Sequence, residues 1–533
     1  MAAILAFSNA VSAQQAHPEQ ELIDTLVLTS RMMARSEIAF FDDALGHISV
    51  RSQINPDRYY IARAIAGGLV STSDIIEYDL DSNPVGGPRS DGFQEVYIHG
   101  EIYKARPDIQ VVAHAHPPEA IAFSVSSVPL LDGEQPVPVW DIRPLNNGRG
   151  GIVNTPELGR SMAEALGDND SVLLLGHGVV VTSTTLNGMI GASSGIRSAA
   201  QQQQMLIGLD YFGGTWDPNP RRVTVPQPQS AATERRPPVV PPASDYSPGG
   251  PGGGERGWDL LKYYVLSENG GDVPKTTPPA PARPSDPEDA LRQDLAWASQ
   301  MLASDELGIL DFAGHISVRS PSNPDRYWIS HWAAPGHATP ELIVEADLDS
   351  NPLSGGIGEN RRLYREAFLH GEIYKARPDV MAVVHSHTPE ITAFAHTSVP
   401  MRVVTNGGSF IGDGLPIFNI REYHDTATII ESPAIGQAMA EVMGDSPGVL
   451  LTGHGVVLTD SSLYGLVNRI YGLRMNAMVQ LQAMALGGEI SYLEGEEATA
   501  GTSVPVVPTG NGGGRDGAAR AWEYWLRTVQ LHE

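Results

Sequence analysis

The chain runs to 533 residues with 41% hydrophobic content, enough for two domains with separate cores. Its 62 acidic against 35 basic residues leave a net charge of −27, a far field that repels nucleic acid and anionic membrane surfaces. There is no cysteine, which removes disulfides, thiolate metal sites and cysteine nucleophiles, so any metal must sit on histidine and carboxylate.

Taken in chain order, residues 1–17 end their apolar stretch in a small-x-small step (Val11-Ser12-Ala13) but lack a basic leading region. A remnant signal peptide and a plain N-terminal extension both fit, which leaves cytoplasmic and periplasmic or secreted locations open. No apolar run approaches the roughly 20 residues that span a bilayer. Apolar spacing predicts a helix over 21–39 and strands over 48–51 and 59–62. A helix over 95–106 stops before Pro107, because a residue preceding proline disfavours helix. A buried strand follows over 111–115, then a helix over 156–166 and a second buried strand over 171–175. The Pro/Gly-rich stretch 217–257 reads as a loop, and an amphipathic segment begins at Trp258.

The same succession then repeats. Gly46-His-Ile-Ser-Val-Arg-Ser52 recurs from Gly314, Asp79-Leu-Asp-Ser-Asn-Pro84 from Asp347, and His99-Gly-Glu-Ile-Tyr-Lys-Ala-Arg-Pro-Asp108 from His370. Gly176-His-Gly-Val-Val180 recurs from Gly453, and the offset drifts only from 268 to 277. A period this long is a whole domain, not a solenoid unit. The division is therefore an extension over 1–17, one α/β domain over 18–266, a linker over 267–285 and a second domain over 286–533. A Gly-rich stretch (510–517) precedes Trp522 as the earlier one precedes Trp258.

The chemistry concentrates in histidines. His114-Ala-His116 and His385-Ser-His387 close buried strands, where residues two apart share a face and two imidazoles can converge on one ion. A hydrogen-bonded pair at a strand edge is the alternative. His177 and His454, each flanked by glycines after an apolar strand, supply a third nitrogen per copy. Three neutral imidazoles leave a divalent ion an open position. Glu95 and Glu366 lie 19 residues before each His-x-His on the preceding helix. His99 and His370, one turn on, are competing ligands with packing or hydrogen bonding as the favoured role. His47 and His315 sit on a strand that can border a pocket.

The pattern Glu-x-x-x-His-x-x-Ile-Tyr-x-x-Arg-Pro-Asp, then His-x-His, then Gly-His-Gly, resembles the class II aldolase/adducin family over nearly all of each copy. The resemblance implies an α/β/α sandwich around a central, mainly antiparallel sheet. It implies zinc, with manganese as the alternative, on His114, His116 and His177 and again on His385, His387 and His454, with Glu95 and Glu366 as the catalytic acid/base. The resemblance implies four-fold rings with sites at subunit boundaries, so two chains are expected to make a pseudo-tetrameric ring, with a small molecule as the substrate. The sugar-phosphate branch carries a phosphate cradle, and Ala62-Arg-Ala-Ile-Ala-Gly-Gly68 is not one. The expected reaction is metal-dependent carbon–carbon cleavage, a decarboxylation of a hydroxylated aromatic or related carboxylic acid. An aldolase or isomerase acting on a non-phosphorylated hydroxy-carbonyl substrate is the alternative, and an adducin-like scaffold the third reading. Copy two carries a longer segment over 401–414 than copy one over 130–135, and Tyr471 where copy one has Ser194, while Arg474 matches Arg197. Tyr471 and Arg474 are therefore candidate substrate contacts, and copy two is expected to hold the more complete pocket.

Overall fold

The computed structural model describes residues 17–211, 254–493 and 517–530, apart from 37, 42, 87–90, 134, 148–150, 280, 357–361 and 424–428. The signal-peptide reading and most of both Gly-rich stretches fall outside the described residues. Copy one opens with α1 (Gln20–Met33), β1 (His47–Arg51), β2 (Arg58–Ala62) and β3 (Ile75–Asp79). It continues with α2 (Val96–Ala105), β4 (Val111–Ala115), α3 (Pro118–Val125), a small hairpin of β5 (Leu131–Asp132) and β6 (Gln135–Pro136), and β7 (Val139–Trp140). It closes with α4 (Pro156–Leu166), β8 (Ser171–Leu174), β9 (Gly178–Ser183), α5 (Leu186–Tyr211) and α6 (Gly254–Glu268).

Copy two repeats the plan. It starts with α7 (Pro287–Ala303), β10 (His315–Arg319), β11 (Arg326–Ser330), β12 (Ile343–Asp347) and β13 (Pro352–Gly355). Next come α8 (Ala367–Ala376), β14 (Ala382–Ser386), α9 (Pro389–Thr392), β15 (Ile417–Phe418) and α10 (Pro433–Met443). The last elements are β16 (Gly448–Leu451), β17 (Gly455–Asp460), α11 (Leu463–Ala485) and α12 (Gly517–Gln530).

Each copy has one large sheet, ordered β3-β2-β1-β4-β9-β8-β7 and β13-β12-β11-β10-β14-β17-β16-β15. Every pairing along them is antiparallel except β7 with β8 and β15 with β16. Strand alternation sorts the side chains into two layers. Ile48, Val50, Val111, Ala113 and Val179 pack towards α1, α5 and α6. Val112, Val172, Leu174 and Val180 pack with the apolar residues of α2 and α4 on the opposite face. Among the described residues no helix is long and apolar enough to cross a membrane.

The first helix is shorter than its apolar pattern predicts, stopping at Met33 instead of running to 39. Phe40 and Phe41 both donate their N–H to Met33 O at 3.0 Å. Ala39 takes a φ of 44°, which turns the two aromatics back into the core, where both are fully buried. Helix propensity yields here to the burial of two rings.

The copies meet through α11, which lies on α3. Ile121, Ala122 and Val125 of copy one pack against Val404, Val479 and Ala483 of copy two. Fully burying side chains of the Ile or Val class contributes about 1.5–3 kcal/mol each. Ser126 bridges Ile490, and Ser491 N donates to Val125 O at 2.7 Å. The 402–405 segment is clamped onto α11 by Asn476, whose Oδ1 accepts from Val404 N (2.9 Å) and Thr405 N (3.1 Å) while Nδ2 donates to Arg402 O (2.9 Å). The linker is held as well: Thr72 N donates to Pro274 O, and Thr277 donates to Asp74 Oδ2 at 2.6 Å.

Candidate metal centres and the cavity between the copies

In copy one, β4 pairs with β1 so that His114 lies directly across from His47. His116 follows one residue past the end of β4, and His177 sits in the turn between β8 and β9. Gly176 makes that turn possible with a φ of 63°. Gly178 keeps it close: a Cβ there would lie 2.9 Å from the His116 ring and 3.0 Å from His114. Glu95 occupies the position before the first residue of α2 and not a position within the helix as predicted. A carboxylate at a helix start is favoured by the helix dipole. The ligand atoms of Glu95, His114, His116 and His177 lie within 4.8 Å of one another. Glu95 Oε2 is 3.8 Å from His114 Nε2, and Oε1 is 3.7 Å from His177 Nε2 and accepts from Val153 N at 3.0 Å.

The hydrogen bonds fix the ring tautomers. His114 Nδ1 lies 3.0 Å from Val179 O and His116 Nδ1 lies against the Asp43 carboxylate at 2.5 Å. Both partners only accept, so both Nδ1 atoms carry the hydrogen and both Nε2 atoms present lone pairs. Those two Nε2 atoms face each other at 3.0 Å. Two acceptors at that distance repel unless a cation lies between them, and burial, which pushes His114 well below the ordinary imidazole range, disfavours supplying that cation as a proton. The carbonyl and carboxylate behind the rings are the orienting partners typical of metal-ligating histidines. This donor set fits a divalent ion of the zinc or manganese kind.

Copy two matches it. Glu366, His385, His387 and His454 lie within the same 4.8 Å limit. His385 Nδ1 faces Val456 O at 3.1 Å, His387 Nδ1 faces Asp311 at 3.1 Å, and Glu366 Oε1 accepts from Ile430 N at 3.0 Å. Asp43 and Asp311 were not expected from sequence. Their signal is there, since each copy places an aspartate four residues before the histidine of its Gly-His-Ile-Ser motif.

The remaining candidates separate. His47 is buried behind the cluster, its Nδ1 2.8 Å from His99 Nε2, and Ser49 Oγ joins His99 Nδ1 (2.6 Å) to Tyr103 OH (2.8 Å). His315, His370, Ser317 and Tyr374 repeat this network. His47 and His315 thus support the cluster from the core side and do not line the cavity described next. Arg474 does not line it either: it pairs with Glu390 at 3.2 Å and donates to Leu307 O, as Arg197 pairs with Glu119. A carboxylate on the helix after His-x-His claims each guanidinium in place of substrate.

A cavity of about 300 Å³ opens in front of the copy-one cluster, and copy two builds its far wall. Asp43, Glu95, His116 and His177 form one side with Phe93 and Ile121; Asn406, Tyr471, Met475, Arg520 and Trp525 form the other. Tyr471 packs on Trp525 with ring centroids 4.9 Å apart, and the Arg520 guanidinium lies 5.1 Å from the Phe93 ring centre. Asn406 reaches across to the turn that carries His177, its N–H donating to Gly176 O at 3.3 Å. The sequence pattern predicts Tyr471 and the 401–414 segment in a pocket of copy two; the structure places Tyr471 and, from that segment, Thr405, Asn406 and Gly407 around the cavity at the copy-one cluster. The reason is the docking of α11 on α3, which carries residues of one copy over the ligands of the other.

The model of the class II aldolase and adducin N-terminal domain matches this chain twice, over 24–204 and 293–481. Decarboxylase tropJ of Talaromyces stipitatus is 27% identical over 241 residues, 42% of this chain and 88% of that protein. The 3,4-dihydroxyphthalate decarboxylase of Arthrobacter keyseri is 34% identical over 171 residues, 29% of this chain and 66% of that protein. Gamma-adducin of Rattus norvegicus is 26% identical over 215 residues, 39% of this chain and 29% of that protein. Among solved structures, L-fuculose 1-phosphate aldolase from Glaciozyma antarctica PI12 aligns at 20% identity with a TM-score of 0.37, covering 47% of this chain and 94% of that one. With both copies matched over well more than half of its length, the protein belongs to the class II aldolase and adducin N-terminal domain family.

Proposed function

We propose that this chain is a divalent-metal-dependent decarboxylase of a hydroxylated aromatic carboxylic acid, working at the copy-one centre. The observation that carries this reading is the cavity: an apolar and aromatic slot bounded by Phe93, Trp525, Tyr471, Met475, Ile121 and Ile152, facing the imidazoles of His116 and His177. Flat apolar walls suit a ring, and Arg520 is the one cation among the described lining residues, a poor provision for a phosphate. The decarboxylase relatives support the same choice over the aldolase alternative.

An ion held by His114, His116 and His177 supplies a Lewis acid for negative charge on a substrate oxygen. The protein's own groups do the rest. The apolar walls hold the ring edge-on to the imidazoles and exclude water, which strengthens every charge interaction inside. Arg520 is placed to orient an anionic substituent. Glu95 is fixed through Oε1 by Val153 N–H, leaving Oε2 to move a proton. Oε2 takes the proton of the substrate hydroxyl and delivers it to the ring carbon that bears the carboxylate, as the oxygen's electron pair moves into the ring. The bond to the carboxylate then breaks, its electron pair restores the aromatic phenolate, and carbon dioxide leaves. The product leaves as a phenolate that protonates from water, so charge and atoms balance.

The test is carbon dioxide release from a panel of hydroxybenzoates and dihydroxybenzoates by zinc- and manganese-loaded protein, alongside Glu95→Gln. Turnover that falls by about 10²–10⁴ in the variant with ion content retained is the expected result. No release across the panel, together with cleavage of a hydroxy-carbonyl compound, would transfer the assignment to the aldolase reading.

A further inference from the structure

The two centres have the same ligands but not the same surroundings. At the copy-one centre the Asp43 side chain is 5% exposed; at the copy-two centre its counterpart Asp311 is 45% exposed. Ala44 is fully buried, while the residue at its position in copy two, Phe312, is 82% exposed. Among the described residues, then, α11 and α12 cover one centre and nothing equivalent covers the other.

A second chain that supplied walls to the copy-two centre in the same way would use α5 as α11 is used here. The two helices align through Arg197 with Arg474 and Gln203 with Gln480, which make the same contacts in both copies. On that alignment the docking stripe of α11, Tyr471, Met475, Val479 and Ala483, corresponds to Ser194, Ser198, Gln202 and Leu206 of α5. Asn468, which also lines the cavity, corresponds to Gly191. Gly191, Ser198, Gln202 and Leu206 are exposed in this chain. The receiving face changes in the same sense. Ile121 and Val125 of α3, both buried under α11, correspond to Thr392 and His396, the latter exposed. A second chain would thus bring two serines, a glutamine and a leucine against a threonine and a histidine. It would offer the copy-two ligands neither a tyrosine nor a methionine wall.

Resting on the function proposed above, we infer that the two centres are not interchangeable: each chain binds one aromatic substrate, at the copy-one centre, with Tyr471, Met475 and Arg520 of copy two as its specificity-determining wall. The copy-two centre holds an ion without that pocket. A four-fold ring of equal sites, as the family resemblance implies, would not follow from these surfaces.

The experiment is calorimetric titration of the full-length, zinc-loaded chain with 3,4-dihydroxybenzoate, with ion content measured on the same samples. Two ions and one ligand per chain are expected. His114→Ala/His116→Ala should lose one ion and all ligand binding. Tyr471→Ser/Met475→Ser, which gives α11 the residues of α5, should keep two ions and bind the ligand at least tenfold more weakly, although neither residue lies in copy one. Tyr471→Phe, which keeps the ring, should restore most of the affinity and so separates loss of the wall from misfolding. Two ligands per chain, or one ligand still bound by the His114→Ala/His116→Ala variant, would overturn the inequivalence and leave the proposed chemistry standing. No ligand on a chain that holds two ions would instead refute the proposed function, and this inference with it.

Discussion

Asn476 offers the sharpest perturbation, because one buried side chain serves three backbone groups that carry copy two onto the copy-one centre. It is fully buried, and its copy-one counterpart is Ala199, so nothing in the general fold demands it. Asn476→Leu keeps most of the volume and removes the hydrogen bonds to Val404 N, Thr405 N and Arg402 O. A buried backbone group left without a partner costs about 1–3 kcal/mol, so three cost at least about 3 kcal/mol. At about 1.4 kcal/mol per decade this is a rise of about a hundredfold in local opening. Hydrogen exchange read at Val404 and Thr405 should accelerate by that factor. Because Thr405 leads directly to Asn406 and its bond to Gly176 O, the ion at His177 should also dissociate faster, while the ion at His454 should not. Exchange at both amides within about threefold of wild type would refute the argument that these bonds hold the segment in place.

The two glycines before the metal-turn histidines should respond differently to alanine. Both need positive φ, 63° at Gly176 and 74° at Gly453, a strain of about 1–2 kcal/mol in either copy. Only at Gly176 would the new Cβ also meet a backbone atom, Val404 O at 2.7 Å, so Gly176→Ala should lower the melting temperature further than Gly453→Ala; equal losses would contradict the packing. Burial alone would raise the Asp74 carboxyl, but hydrogen bonds from Ser71 and Thr277 and the Arg63 charge hold it below its ordinary value. A carboxylate with a depressed folded pKa stabilises above its unfolded pKa, about 3.9, and loses that contribution as pH falls through the folded value. Thr277→Val should therefore lower the denaturation midpoint at pH 7 and lower it less at pH 3, and an equal loss at both would rule this out. Saturating zinc at about a thousandfold its Kd should stabilise the folded chain by about 4 kcal/mol per centre, and a thermal midpoint unmoved by chelator would argue against bound ions.

The ligand clusters were legible because their geometry is local. His-x-His at a strand end follows from the two-residue strand period, and His177 and His454 announce themselves through glycines that make room for neighbouring rings. The strand over 111–115 and the helix over 156–166 match the structure to the residue, and Thr155 caps that helix by accepting from Leu158 N. Glu95 came from family resemblance, as nothing in its spacing separates it from a surface glutamate. What could not be read was the partnership across the copies. The stripe Tyr471, Met475, Val479 and Ala483 shows that α11 has an apolar face, but helical spacing carries no statement of which surface that face meets. Asn406, Arg520 and Trp525 share the limitation: each is far in sequence from the cluster it faces. Tyr471 and Asn406 therefore line the cavity at the copy-one cluster, where the sequence pattern placed them in copy two.

The linker strapped to copy one at Thr72 and Thr277 has a kinetic meaning for the assembly. A site shared between separate subunits is lost on dilution, because its halves part when concentration drops below their dissociation constant. Here the far wall is on the same polypeptide, and a tether of this sort holds its partner at an effective concentration in about the millimolar range. Cavity formation is thus a first-order event, and the fraction of complete copy-one sites is the same in a nanomolar assay as in a concentrated stock.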